Sequence, residues 1–160
     1  MGIARLRPAT IVLAALLFTW FGLNFVGWPR LVDREPLISL AGFMLALMLL
    51  FIVGGIARLG YLAIPYFVAL GIWAVLQWQT HWSTYLLPAS AAKLDWYARV
   101  FGNHWRLLPD RAGHTTPDTY HTVLGVLILC NMVWACGDIL ARRRFDDALA
   151  SPPQAQDGRD

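Results

Sequence analysis

Charge is scarce in this chain: Asp, Glu, Lys and Arg make up only 14% of its 160 residues. A water-facing globular domain carries about a quarter, so most of this protein's surface is expected to meet something other than water. Cysteine is nearly absent too. Cys130 and Cys136 lie six positions apart, which on a helix turns them about 240° from each other. That spacing excludes an intrahelical disulfide, and without a Cys-x-x-Cys pair a thiol oxidoreductase is excluded as well; the two read as small apolar packing residues. There is no Gly-rich phosphate loop, no zinc-knuckle spacing and no basic-aromatic alternation along a strand. Nucleic acid is therefore not an expected partner, although the net charge is +3. No internal repeat is present. Nor is there a Ser-His-Asp or Cys-His set. The hydroxyls near His81 and His121 belong to Ser83, Thr84, Thr119 and Thr122, ordinary residues for an interfacial loop, and no catalytic residue is expected.

What the chain does have is apolar residues, 58% of the total with a mean hydropathy of +0.50, gathered into four long runs almost free of charge. Runs of about 20 such residues match the thickness of a bilayer. The expected fold is an all-α integral membrane protein: an antiparallel four-transmembrane-helix bundle with an amphipathic interfacial helix between the third and fourth spans. Residues 1–141 form one membrane domain, with spans at about 9–28, 37–57, 61–80 and 118–140 and an outer segment at about 81–117. Residues 142–160 form a tail, basic at first and then disordered.

The boundaries follow from local signals. Pro29 is expected to stop the first span, and Pro36 to open the second at the favoured first position. Arg58 marks a tight turn into the third. Thr116, Pro117 and Asp118 read as cap, first helical residue and dipole-neutralising acid of the fourth. The outer segment is too long for a bare loop. Within it Ser90 can cap a helix, and Leu94, Tyr97, Phe101, Trp105 and Leu108 recur at spacings of three and four, the pattern of a helix lying on a membrane surface.

The apolar start of the chain lacks a small-x-small cleavage site and reads as a retained insertion signal and first span. Arg5 and Arg7 before it, and Arg142 to Arg144 after the fourth, set both termini on the cytoplasmic side of a bacterial inner (plasma) membrane. Trp28, Trp78, Trp82, Tyr85, Trp96, Tyr97, Trp105 and Tyr120 then gather at the outer interface. There they form either an aromatic belt or a recess for a flat apolar molecule such as a quinone or lipid tail.

At the depth of that interface Asn24, Gln77, Gln79, His81, Asp118 and His121 are expected to converge. His114, Asp118 and His121 offer two imidazoles and a carboxylate, a ligand set suited to zinc or iron. His81 and His121 offer a pair of axial ligands for a b-type haem. Against both stands a purely structural reading in which Asp118 stabilises a helix end and His121 bonds a neighbour; His104 is taken as an interfacial residue. Asn131, mid-span, is expected to bond across helices, and Asp138 to pair with Arg142 or water.

The function expected from all this is non-enzymatic: an accessory, assembly or scaffold subunit of a membrane complex. It would dock a protein partner or lipid through Leu94, Tyr97, Phe101 and Trp105, with Gly54-Gly55 available for association between copies. The alternative is a haem-, quinone- or metal-binding redox component.

Overall fold

The computed structural model describes residues 6–150. They form helices and connecting loops, with no strand among the described residues; Trp28 and Val32 meet only as an isolated bridge. Three helical stretches are long and apolar enough to cross a membrane: Pro8–Val26, Gly60–Leu86 and Thr119–Phe145. Within an apolar 18-residue window of each, only 28% to 33% of the residues are buried within the protein. The rest is apolar surface, including Val12, Leu16, Ile72, Val126, Leu129 and Val133, which is unstable against water and suited to hydrocarbon.

Helix α1 (Pro8–Val26) starts with proline at its first position and stops at Gly27, ahead of the expected stop at Pro29. Gly27 adopts φ 72°, which glycine does without steric cost, and its N–H closes on the Leu23 carbonyl at 2.9 Å. Helix α2 (Leu40–Ile56) begins later than Pro36 because Ser39 caps it, accepting the Gly42 N–H at 3.2 Å. Its 17 residues make it about 26 Å long. Leu37 and Ile38 precede it as exposed apolar residues. After α2 the chain reverses through Arg58 at φ 65°, with the Leu59 N–H on the Gly54 carbonyl at 2.7 Å, a left-handed helix end of the Schellman kind.

One 3-10 turn (Gly60–Leu62) leads into α3 (Ala63–Gln77), a single π turn follows at Trp78–Trp82, and α4 (Ser83–Leu86) continues the same rod. The third helical stretch thus runs past the expected end at Thr80 and takes His81 with it. Nothing between Gln77 and Leu87 breaks a helix until Pro88. Ser90 caps α5 (Ala91–Phe101) as expected, accepting the Lys93 N–H at 3.3 Å. That helix ends at Phe101, so Trp105 and Leu108 lie in the irregular chain beyond it. Helix α6 (Thr119–Ala150) is capped by Asp118 rather than Thr116. It carries Arg142 to Arg144 as helix rather than tail. Arg5 and the expected disordered stretch 151–160 lie outside the described residues.

Helix α1 packs on α2 and α6, and α3 packs on α2 and α6. The core between them holds Leu17, Phe21, Leu70, Trp73, Leu124 and Ile128. Phe21 meets Trp73 edge-on at 4.4 Å, and Phe51 stacks on Tyr66 at 3.8 Å. Helices α1 and α6 run in opposite directions: at one end Arg7 and Thr10 both bond the Asp138 carboxylate, and at the other Asn24 donates to the Tyr120 hydroxyl at 2.7 Å. Asp138 thus pairs across helices with Arg7. At mid-depth Asn131 is fully buried. It accepts from the Tyr66 hydroxyl at 2.9 Å and donates to the Leu13 and Leu127 carbonyls at 3.1 and 2.8 Å, tying α1, α3 and α6 together. Gly54 is buried against Leu62, and Gly55 against Leu6 and Ile11; the pair serves close packing inside one molecule. Cys130 and Cys136 are free thiols.

Candidate functional site

The chain between α4 and α6 is folded back onto the helix ends and fastened there at several points. Ala89 N–H donates to the Gly113 carbonyl at 2.9 Å, Thr115 N–H to Thr84 at 3.0 Å, Trp105 N–H to Arg30 at 2.7 Å, and Thr119 N–H to Trp105 at 2.7 Å. The Thr84 and Thr115 hydroxyls bond each other at 2.6 Å. This connector is a cap of fixed shape, and beneath it lies a cluster of ionisable side chains.

Asp118 is at its centre, with 0% of its surface exposed. Its carboxylate accepts the His121 backbone N–H at 2.8 Å, the His121 Nδ1–H at 2.9 Å and the His104 Nδ1–H at 3.1 Å. An ionised carboxylate can only accept, so both imidazoles must carry their proton on Nδ1. Burial alone would push the Asp118 carboxyl up. The hydrogen bonds and charge of His121, with the hydrogen bond from His104, outweigh that and hold it below the usual carboxylate range. His104 continues outward, its Nε2 lying 3.5 Å from the exposed carboxylate of Asp33 in the loop after α1. One imidazole therefore spans the cap, the start of α6 and the α1–α2 loop.

On the other side the His121 ring stacks on His81, centroids 3.8 Å apart and planes within 20°. His81 Nδ1 lies 2.9 Å from the Tyr97 hydroxyl. Burial, and next the negative charge of Asp118, push the Tyr97 phenol well above its ordinary value; it stays protonated, and its hydroxyl shares one hydrogen bond with His81 Nδ1 whose donor is set by the His81 tautomer. Phe101 closes the group edge-to-face, its ring centroid 5.3 Å from those of both His81 and His121. The sequence of contacts Asp33, His104, Asp118, His121, His81, Tyr97 joins four separate elements.

Several expected positions are rearranged by this. His104, read from sequence as interfacial, is the second imidazole at Asp118; His114 instead lines an open hollow of about 270 Å³ with Leu94, Tyr97, Arg106, Arg111 and Thr116, its Nδ1 buried without a partner. In that hollow the Thr116 hydroxyl, and to a smaller degree Arg106, hold the Asp110 carboxyl below its ordinary value. Among the described residues no three His, Cys, Asp or Glu side chains are grouped to hold a metal ion. His81 and His121 are neighbours. They are stacked face to face, however, and axial ligation from opposite sides of an iron would require both rings to swing apart.

Of the residues expected to dock a partner, Tyr97 is only 2% exposed and Phe101 packs on the histidines. Their side of α5 is the inward one, and Trp96 and Val100 form the outward one. Trp105 remains exposed. Of the wider polar set, Asn24 and Gln77 are buried while Gln79 faces out. Tyr120 is interior rather than part of a belt, stacked on Trp20.

His104, Tyr97 and Asp33 are the members the sequence reading missed. One signal for His104 was present: the spacing of Tyr97 and Phe101 continues onto it at the next three-residue step. Fold and site together define an all-helical membrane protein with a buried imidazole–carboxylate cluster under a structured cap. Set against protein-family models, curated proteins and solved structures, the chain matches none.

Proposed function

We propose that this protein is a non-enzymatic accessory or scaffold subunit of a membrane complex, an antiparallel four-helix bundle with both termini in the cytoplasm and the cap outside, docking a protein partner through the cap. In this reading α2 is the fourth span, and its 17 residues lie at the short end of what a bilayer accepts. The basic residues Arg7 and Arg142 to Arg144 sit at the end of the bundle away from the cap, which favours that end for the cytoplasm. α5 is the amphipathic helix, with Tyr97 and Phe101 turned to the histidines and Trp96 and Val100 turned out.

The observation that carries the docking role is a rigid cap that leaves apolar side chains uncovered: Leu86, Leu87, Trp96, Val100, Trp105 and Leu107 are all exposed. The imidazole–carboxylate cluster supports this as a clamp. It orders the cap before a partner arrives, and an ordered surface loses less conformational entropy on association than a loose one. The polar network contributes positioning, and the aromatic rim contributes contact area.

A photoactivatable residue at Val100, crosslinked in cells that make the protein natively, tests the reading. A discrete protein adduct that disappears in Trp96→Ser/Leu107→Ser, with melting temperature in detergent unchanged, is the expected result. Adducts to lipid alone, or a protein adduct indifferent to those substitutions, would remove the docking role.

A further inference from the structure

A second feature is the open hollow of about 270 Å³ walled by Leu94 and Tyr97 of α5 and by Arg106, Asp110, Arg111 and Thr116 of the connector. Trp96 and Val100, which carry the docking reading, are not part of its wall. Both signs of charge meet in it. Arg106 Nη1 donates to Asp110 Oδ1 at 2.8 Å. Arg111 Nη1 donates to the Tyr85 carbonyl at 3.4 Å, with its guanidinium carbon 5.9 Å from the centre of that tyrosine's ring. A guanidinium has about five N–H donors and a carboxylate about four acceptor sites, so both arginines and Asp110 keep bonding capacity to spare. These groups are within reach of a ligand: the side chains of Arg106 and Asp110 are 29% and 68% exposed, and Arg111 is exposed. His114 also lines the wall, but its Nδ1 is enclosed and beyond a ligand's reach.

The hollow is fixed at the depth where the apolar chain gives out. Tyr85, which holds Arg111, is the last residue but one of the apolar stretch Gly60–Leu86. Beside it the Thr84 hydroxyl bonds that of Thr115, a wall residue, at 2.6 Å. That is the level of lipid headgroups, where tyrosine is enriched and basic pockets take up lipid phosphates. The charges then decide which headgroup. An anion alone would be drawn to Arg111 but would also face the exposed carboxylate of Asp110. A headgroup with both a phosphodiester and an ammonium matches both signs: the planar fork of arginine suits phosphate oxygens, and an ammonium offers its N–H donors to the carboxylate.

We propose that this hollow binds the headgroup of an ethanolamine phospholipid, with the phosphodiester on Arg111 and the free donors of Arg106, and the primary ammonium on Asp110. The glycerol and acyl chains then lie against the end of the third apolar stretch, so the occupant is a lipid of the bilayer rather than a soluble ester. Choline lipids fit less well, because a fully methylated nitrogen has no N–H to donate. The site is separate from the docking surface, and either can fail without the other.

Native mass spectrometry of the full chain in non-ionic detergent tests it, with dioleoyl phosphatidylethanolamine, phosphatidylcholine and phosphatidylglycerol each titrated in turn. The first two carry the same net charge and differ only in methylation of the nitrogen. The expected result is that the ethanolamine lipid binds at least about tenfold tighter than the choline lipid, the loss that goes with one hydrogen bond to a charged group. It also binds tighter than the glycerol lipid. Asp110→Asn, at an exposed side chain, abolishes the preference over choline, and Arg111→Gln weakens binding of the ethanolamine lipid. Equal affinity for the ethanolamine and choline lipids, glycerol lipid bound as tightly or more so, or a preference that survives Asp110→Asn would each overturn the proposal. So would displacement of the lipid by an equimolar amount of glycerophosphoethanolamine, which has the headgroup without the chains. The comparison on the unaltered protein stands even if a variant does not fold.

Discussion

Replacing Asp118 by alanine removes the acceptor that holds the cap to the helix ends, and its effect can be worked from the contacts. Three N–H groups, two imidazole and one backbone, lose their partner. Hydrogen bonds to a charged group contribute about 1.5–3 kcal/mol each and a helix N-cap about 1 kcal/mol. Against this, the protein no longer buries a carboxylate, which offsets part of the loss. A net destabilisation of about 3 kcal/mol results, equivalent to a cap-opening equilibrium shifted on the order of 100-fold. The damage is local, because α1, α3 and α6 are joined independently through Asn131 at mid-depth. Amide hydrogen exchange in detergent reads this directly: residues 87–118 lose protection in Asp118→Ala while 10–24 and 63–77 keep theirs. Asp118→Asn retains an oxygen for the His121 backbone N–H and loses less. Unchanged protection of the cap in Asp118→Ala would refute the clamp, and uniform loss across the spans would refute its separation from the core.

Further outcomes follow from the same contacts. Asn131→Ala breaks two interhelical bonds, to Tyr66 and the Leu13 carbonyl, of a kind averaging about 0.6 kcal/mol each in membrane proteins, for a total of about 1 kcal/mol; a fall in melting temperature with cap exchange unaltered is expected, and no fall would show those bonds to be idle. Because the Asp118 carboxyl is depressed in the folded protein, its stabilisation is complete above its unfolded value near about 4 and is lost as pH drops through the lower folded value. The melting-temperature gap between the unaltered protein and Asp118→Asn should therefore persist from about pH 8 to 5 and close below about 4; a gap that closes near neutral pH would contradict the assignment. Tyr97→Phe removes only the hydroxyl that bonds His81 Nδ1, leaving one buried imidazole nitrogen unpaired at a cost of about 1–3 kcal/mol. Increased exchange confined to α5 is the expected result, and exchange identical to the unaltered protein would discount that bond.

The spans were legible because hydrocarbon imposes a single strong rule, long uncharged runs, and the sequence obeys it at Pro8–Val26, Gly60–Leu86 and Thr119–Phe145. Their ends were less so. A capping Ser39 outweighed the signal of Pro36, and Gly27 stopped α1 before Pro29 could, because caps are decided by which backbone groups find partners. The third stretch outran its expected end since Trp78–Trp82 tolerates a π turn, which no periodicity announces. Asp118 and His121 were readable as neighbours from their spacing of three. His104 and Tyr97 were not, as their places depend on how a 32-residue connector between Leu86 and Thr119 folds back, and that is settled by long-range bonds such as Trp105 N–H to Arg30.

Cysteine accessibility at two positions tests the central claim of a bilayer-spanning chain with its cap outside. In a Cys130→Ala/Cys136→Ala background, a membrane-impermeant maleimide is applied to intact cells carrying either Ala112→Cys in the cap or Arg143→Cys beyond the apolar part of α6. Ala112→Cys is expected to label at once and Arg143→Cys only after permeabilisation. Labelling of both before permeabilisation, or the reverse order, would contradict it.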